Sequence, residues 1–112
     1  MQQLVQKLRA FAAERDWEQF HTPKNLACAI SVEAAELLEI FQWSRGANWG
    51  SLQDEAVGRR TEEELADIFL YLLRFADLAK IDLIAAAEKK IENNRLKYPV
   101  ERSKGSDAKY NE

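Results

Sequence analysis

Apolar residues recur at helical spacing along most of the chain, and this periodicity predicts an all-α fold. Thr22 precedes Pro23, and this pair is typical of the cap and the first residue of a helix. Asp82 is a capping residue of the same kind. The connections are short, which favours a four-helix bundle. The predicted helices span residues 2–16, 23–43, 51–80 and 82–97.

The third predicted helix contains a glycine. This helix either runs through Gly58 or breaks there, and in the second case Thr61 with Glu64 has the capping-box spacing that would start the long piece afresh. Beyond the fourth helix, residues 100–112 are polar and have no periodicity. We therefore expect one helical domain over residues 1–99, followed by a polar C-terminal tail.

Composition supports a helical domain and excludes several classes of protein. The 112 residues include only four glycines and two prolines, so few residues break helices. The formal net charge of −3 is unfavourable for nonspecific nucleic-acid binding, which needs a positive surface. Cys28 is the only cysteine, so no intrachain disulfide is expected. The longest apolar run, residues 68–73, is too short to cross a membrane, and no signal-peptide pattern occurs, so we expect a cytoplasmic protein.

Acidic residues lie on the apolar side of the second predicted helix. At about 100° per residue, Ile30 and Leu37 fall within about 60° of Glu33 on the helical wheel. Glu36 lies at the edge of the same apolar stripe. No lysine or arginine occurs over residues 25–44, so this helix offers no cation to pair with these acids.

The third predicted helix repeats this arrangement. Ile68 and Phe75 fall within about 40° of Glu64 on the wheel, and Asp67 lies among the same apolar residues. Four acids and no base occur over residues 61–73. Two adjacent helices thus each carry a pair of acids at three-residue spacing on an apolar side.

Two interpretations of these acids compete. A solvated acidic face is the common case, and it suits Glu39 and Glu62. It does not suit acids with apolar neighbours, because a buried carboxylate without a partner is costly. Carboxylates on adjacent helices can share a divalent cation, and oxygen ligands suit Mg²⁺ or Mn²⁺. A di-iron centre would need two Glu-x-x-His pairs, and His21 is the only histidine. The predicted metal ligands and catalytic residues are Glu33, Glu36, Glu64 and Asp67.

The motifs around these acids resemble those of one protein family. Glu33-Ala-Ala-Glu36, 27 further residues and then Glu64-Leu-Ala-Asp67 are similar to the signature of the MazG-like all-α nucleoside triphosphate pyrophosphohydrolases. Three flanking segments resemble the dCTP pyrophosphatase branch of that family. These segments are residues 11–21, 39–43 and 94–99.

The resemblance implies hydrolysis of a deoxynucleoside triphosphate, dCTP or a 5-modified dCTP, to the monophosphate and pyrophosphate. It implies that Mg²⁺, with Mn²⁺ as a substitute, is held by the four acids, binds the triphosphate and helps to activate water. A cation also explains how an acidic site accepts a highly anionic substrate. The expected partner is therefore a nucleotide, with no nucleic acid and no membrane.

The resemblance also assigns residues to the nucleobase and the sugar. Trp17 and Trp43 are expected to stack on the base, although a tryptophan taken singly more often fills a core. His21 is expected either to hydrogen-bond the base or to cap the connection between two helices. The hydroxyl of Tyr71 is expected near the sugar or the metal, with core packing as the alternative.

The fourth predicted helix carries residues that resemble a phosphate-binding face. Lys90, Asn94 and Tyr98 recur every four residues and so share one face, for which an ordinary solvated surface is the alternative. The resemblance assigns Lys90 and Arg95 to phosphate charge and Asn94 to the sugar or a phosphate. Basic residues in the tail would either close over the triphosphate or remain mobile. They are Arg102, Lys104 and Lys109.

Assembly of several chains is also expected. The third helix is apolar on nearly all sides over residues 65–78, which is more than one short chain covers. The resemblance implies a homotetramer, a dimer of dimers whose subunits share a core. The alternative function is a non-catalytic helical oligomerisation module with a solvated acidic face. Metal dependence of pyrophosphate release discriminates between the two.

Overall fold

A computed structural model of the chain describes residues 1–43, 48–100 and 105. The described residues form four α-helices and two short 3₁₀ helices, with no β-strand among them, and so confirm the all-α prediction. The α-helices are α1 (Gln2–Glu14), α2 (Pro23–Phe41), α3 (Glu55–Ala79) and α4 (Leu83–Lys97). The 3₁₀ helices are η1 (Glu18–Phe20) and η2 (Trp49–Gln53). The chain divides into two units, residues 1–79 and 80–112.

Side-chain caps begin three of the α-helices. The hydroxyl of Thr22 accepts a hydrogen bond from the backbone N–H of Asn25 at 3.1 Å, and Pro23 opens α2 as predicted. The Asp82 carboxylate caps α4 by accepting from the backbone N–H of Ala85 at 3.0 Å. At α3, Asp54 accepts from the backbone N–H groups of two residues in the first turn. Local sequence signals therefore place the starts of α2 and α4 correctly, whereas the third helix was predicted from Ser51 and α3 begins at Glu55.

Of the two alternatives at Gly58, the break is wrong, because α3 runs through this residue. The backbone N–H of Gly58 donates to the carbonyl oxygen of Asp54 at 2.8 Å, so helical hydrogen bonding begins before the glycine. Thr61 does not start a helix, because its hydroxyl donates to the carbonyl oxygen of Val57 one turn back. A Cβ at position 58 would lie 2.7 Å from the carbonyl oxygen of Leu52. The glycine therefore allows η2 to pack closely against α3.

Two further helix ends differ from prediction by a few residues. The predicted first helix extended to Asp16, but α1 ends at Glu14, and Asp16 adopts a left-handed φ of 54°. The predicted second helix extended to Trp43, but α2 ends at Phe41. The chain therefore leaves both helices earlier than the apolar pattern indicates.

In the unit of residues 1–79, α3 packs against both α2 and α1. His21, just before α2, contacts Arg74, near the end of α3. The helices α2 and α3 are therefore antiparallel. Few apolar residues of the described part of the chain are buried, namely Ala12, Leu26, Leu73 and Ala76. Many large apolar side chains on α2 and α3 remain exposed in the single chain, among them Val32, Leu38, Leu65 and Leu78.

The unit of residues 80–112 contains α4. Arg95 and Lys97 lie in its last turn, where positive charge interacts favourably with the carbonyl end of a helix. Ile84 and Ile91 are exposed on this helix, at 49% and 60%. In the described part of the chain, no helix has the length and apolar character that a membrane span requires. The predicted division into a domain of residues 1–99 and a tail stays a prediction.

Candidate functional site

Three of the predicted metal ligands come together between α2 and α3. One carboxylate oxygen each of Glu33, Glu64 and Asp67 lies within 4.8 Å of the other two. Glu33 comes from α2, and the other two acids are one turn apart on α3. The packing of α2 against α3 therefore brings the oxygen atoms of these three acids together. We call this group the acid cluster.

The acid cluster has the properties of a divalent-cation site. The Oε2 atoms of Glu33 and Glu64 are buried and have no hydrogen-bond partner. Buried carboxylate oxygens without a partner are costly, and a cation removes that cost. Carboxylate oxygens are ligands that hard divalent cations prefer. The residues present therefore fit a divalent metal ion.

The proton affinity of Glu33 reflects the crowding of negative charge. The pKa of Glu33 is raised to about 7, first because its protonated form can share a hydrogen bond with Glu36. Partial burial and the neighbouring carboxylate of Glu64 raise the pKa further. The fourth predicted ligand, Glu36, thus adjoins the acid cluster through Glu33.

This pKa predicts how the stability of the metal-free protein depends on pH. Because the pKa of Glu33 lies above its usual value of 4.5, its contribution to stability is present below about pH 4.5 and is lost as the pH rises through about 7. We expect the thermal unfolding midpoint in EDTA to fall between about pH 5 and pH 8. In Glu33→Gln this fall should be smaller, because that residue no longer ionises. The same pH dependence in both proteins would contradict the assignment.

An open cavity of about 310 Å³ adjoins the acid cluster. Asp67 belongs to both the cluster and the cavity wall. Three residues that the sequence assigns to the substrate, namely Trp17, His21 and Tyr71, also line this cavity. The remaining wall comes from α1 and α3. These residues are Leu8, Phe11, Ala12, Leu70 and Arg74.

Aromatic contacts position Trp17 at the cavity. The rings of Phe11 and Trp17 meet edge to face, with centroids 5.5 Å apart and an interplanar angle of 72°. The guanidinium of Arg15 lies over the Phe11 ring, with its Cζ atom 3.7 Å from the ring centroid. Phe11 lies in the segment that resembles the family, but its place in the cavity becomes evident only in the fold.

A network of polar contacts links His21 to side chains of α3 and α1. The Nε–H group of Arg74 donates to Nδ1 of His21 at 3.0 Å, and Nη1 of Arg74 lies 3.8 Å from Asp77 Oδ2. Arg9 on α1 makes two hydrogen bonds to the Asp77 carboxylate, at 2.6 and 2.8 Å. Sequence reasoning missed this network. Its signal was a single arginine inside the apolar part of α3.

His21 was predicted either to hydrogen-bond the base or to cap the connection, and its contact with a base stays a prediction. Its backbone N–H donates to the carbonyl oxygen of Glu18 at 3.2 Å and ends η1, which is a structural role. Its side chain lines the cavity and contacts Arg74. Burial and the positive charge of Arg74 lower the pKa of His21, whereas Glu18 acts in the opposite direction.

The other residues that the sequence assigns to the substrate lie elsewhere in the chain. Trp43 follows α2 and is 91% exposed. The residues assigned from the fourth helix belong to the unit of residues 80–112, where Nη1 of Arg95 pairs with Glu92 at 3.4 Å. Their roles stay predictions. These residues are Lys90, Asn94, Arg95 and Tyr98, and the basic tail residues Arg102, Lys104 and Lys109 lie outside the described part of the chain.

Comparison with known proteins shows the family to which this chain belongs. The sequence model of the MazG-like family matches residues 28–112, which include the acid cluster. The chain therefore belongs to the MazG-like family. A solved structure of a pyrophosphatase from Archaeoglobus fulgidus is 47% identical in sequence and superposes with a TM-score of 0.82, covering 88% of this chain and 92% of the other.

Two curated relatives are similar to this chain over nearly all of its length. The chain is 44% identical to dCTP pyrophosphatase 1 of Rattus norvegicus over 95% of its own length, and 40% identical to that of Homo sapiens over 96%. The chain spans 64% of the rat relative and 65% of the human relative, which is just under two thirds of each. The similarity thus covers nearly all of this chain but only part of those proteins.

Proposed function

We propose that this chain hydrolyses a deoxynucleoside triphosphate, dCTP or a 5-modified dCTP, to the monophosphate and pyrophosphate in the presence of Mg²⁺. The observation that carries the proposal is the position of Asp67, which belongs both to the acid cluster and to the wall of a cavity lined by aromatic side chains. A nucleoside triphosphate has the matching chemistry, with a polyanion at one end and a planar base at the other. The pyrophosphatase and dCTP pyrophosphatase relatives support this assignment. The proposed place of action is the cytoplasm.

The acid cluster is the proposed phosphate end of the site. Glu33, Glu64 and Asp67 would hold the cation, with Glu36 beside them. A bound divalent cation supplies charge neutralisation for the triphosphate and lowers the pKa of a coordinated water. Without a cation, these carboxylates would repel the substrate. The residues contribute by holding their oxygen atoms in one group before substrate arrives, so that little reorganisation is needed.

The cavity is the proposed base end of the site. Trp17 and Tyr71 offer aromatic surfaces, and stacking on an aromatic side chain contributes about 1–3 kcal/mol per base. His21 offers a polar group at the same wall. We also propose that Trp43 contacts the base, since its exposed indole is available to a ligand or to another subunit. Binding at this end orients the nucleotide so that its phosphates reach the acid cluster.

Pyrophosphate release from a panel of deoxynucleoside triphosphates tests the proposal. We expect turnover of dCTP and 5-modified dCTP in Mg²⁺, a lower rate with Mn²⁺ or purine substrates, and no turnover in EDTA. Re-addition of Mg²⁺ should restore the rate, which separates metal loss from unfolding. Release of orthophosphate instead of pyrophosphate would contradict the reaction assigned. Absence of turnover with every triphosphate in Mg²⁺ would favour the non-catalytic oligomerisation module.

We also propose that the chain forms a homotetramer whose subunits share a core. Few apolar residues of the described chain are buried, whereas Leu38 on α2 and Leu65 on α3 are 66% and 53% exposed. Exposed apolar surface of this extent on adjacent helices is typical of an interface. Light scattering at micromolar concentration should give a mass near four times 12.9 kDa. A stable monomer would contradict this proposal.

A further inference from the structure

Arg74 is a buried arginine that directs its guanidinium at other protein groups. It lines the cavity but is only 5% exposed. Its Nε–H group donates a hydrogen bond to His21, and its Nη1 atom faces the Asp77 carboxylate. Arg9 holds that carboxylate in place with two hydrogen bonds. An arginine committed in this way is poorly placed to bind phosphate. Its position suggests an action on the ring of His21.

The chemistry of the two side chains determines where the His21 proton lies. A guanidinium has N–H donors and no acceptor, so Nδ1 of His21 must offer its lone pair to Arg74. A neutral imidazole with an acceptor at Nδ1 carries its proton on Nε2. Protonation of Nδ1 would remove this hydrogen bond and place two positive charges together, which agrees with the lowered pKa of His21.

We infer that Arg74 is a positioning residue that holds His21 in the tautomer with its proton on Nε2, so that His21 offers one hydrogen-bond donor to a ligand in the cavity. Asp77 and Arg9 hold Arg74 in the required orientation. This inference rests on the proposed function, because the ligand it concerns is the base of a nucleoside triphosphate. A single donor at this wall recognises an acceptor atom of the base. It disfavours a base that presents an N–H group there, because two donors would then face each other.

Nitrogen NMR of histidine tests the tautomer directly. His21 is the only histidine, so tag-free protein labelled with ¹⁵N-histidine gives one pair of ring-nitrogen signals. In the wild type near neutral pH, we expect a protonated Nε2 and an unprotonated Nδ1, without tautomer averaging. Arg74→Met should shift the signals toward the averaged pattern of an unrestrained imidazole. Arg74→Lys, which keeps the charge and a donor, should remain closer to the wild type.

A double-mutant cycle tests whether Arg74 acts through His21. We expect Arg74→Met to raise the KM for dCTP about three- to tenfold, as for loss of one hydrogen bond, with kcat changed by less than about threefold. In a His21→Ala background, Arg74→Met should add less than about a twofold increase in KM. Circular dichroism and thermal unfolding of each variant check that it is folded.

The possible results separate this inference from the proposed function. A wild-type spectrum with the proton on Nδ1, or with averaged tautomers, overturns the inference even if dCTP is hydrolysed, and this result does not depend on any variant. Additive KM effects of the two substitutions overturn it as well. If no triphosphate is hydrolysed, the proposed function fails, and with it the role of His21 toward a base.

Discussion

Replacement of Glu33 or Glu64 by glutamine will reduce pyrophosphate release from dCTP at least about a hundredfold. Each substitution keeps the shape of the side chain and removes one negative oxygen ligand from the acid cluster. The folded structure should survive, because the buried Oε2 atoms of both residues have no hydrogen-bond partner that the substitution would remove. The loss should therefore appear in turnover and in metal affinity, with the helical circular dichroism unchanged.

The metal-free variants give a second measurement of the same site. Loss of a partly buried negative charge beside other carboxylates relieves repulsion, so the unfolding midpoint of metal-free Glu33→Gln should equal or exceed that of the wild type. Divalent cation should then stabilise the variant less than it stabilises the wild type. Glu62→Gln and Glu39→Gln are matched controls, because they remove exposed acids from the same two helices. Near-normal activity in two of the Glu33, Glu36 and Glu64 variants would exclude the proposed metal site.

Replacement of Trp17 by alanine will raise the KM for dCTP about ten- to a hundredfold, as expected from a stacking loss of about 1–3 kcal/mol. Trp17 lines the cavity and packs edge to face on Phe11. The decrease in kcat should be smaller, because the acid cluster still organises the triphosphate. Trp17→Phe keeps an aromatic face and should recover much of the loss, which distinguishes stacking from the filling of space.

Trp43→Ala provides the comparison for the second predicted base contact. The Trp43 indole is 91% exposed in the single chain, so its removal should cost little stability. If it stacks on the base, KM for dCTP should rise by a factor similar to that for Trp17→Ala. Asp67→Asn should have the opposite pattern, with a large loss of kcat and partial retention of nucleotide binding. An unchanged KM in folded Trp43→Ala would remove this residue from the base site.

Local patterns predicted most of the helices and identified three acids that lie together in the structure. Thr22 and Asp82 cap helices as their side chains indicated, because a cap depends on hydrogen bonds within a few residues of chain. The acids of α2 and α3 were identified because helical periodicity placed Glu33 and Glu64 among apolar neighbours. The acids come together because α2 and α3 pack with their acid-bearing sides facing each other. The three acids are Glu33, Glu64 and Asp67.

Gly58 shows where local reasoning leaves a choice open. Glycine lowers helix propensity, but that cost is about 1 kcal/mol and packing readily exceeds it. Here the side chain of Asp54 caps the start of α3, so the helix begins before position 58. The glycine is needed because a Cβ at this position would lie 2.7 Å from the carbonyl oxygen of Leu52. The glycine therefore serves a close tertiary approach. Nothing in the spacing of nearby residues could distinguish this role from a break.

The sequence by itself determined the helical class, the starts of α2 and α4 and the acids that can bind a metal, because all of these follow from periodicity and short-range hydrogen bonding. Only the tertiary structure decided which side chains surround the cavity. It brought Arg9 of α1 to Asp77 of α3, and it placed Arg74, also of α3, against His21. These contacts join residues 53 and 68 positions apart. Such pairs depend on how the helices pack, and helical periodicity contains no information about that arrangement.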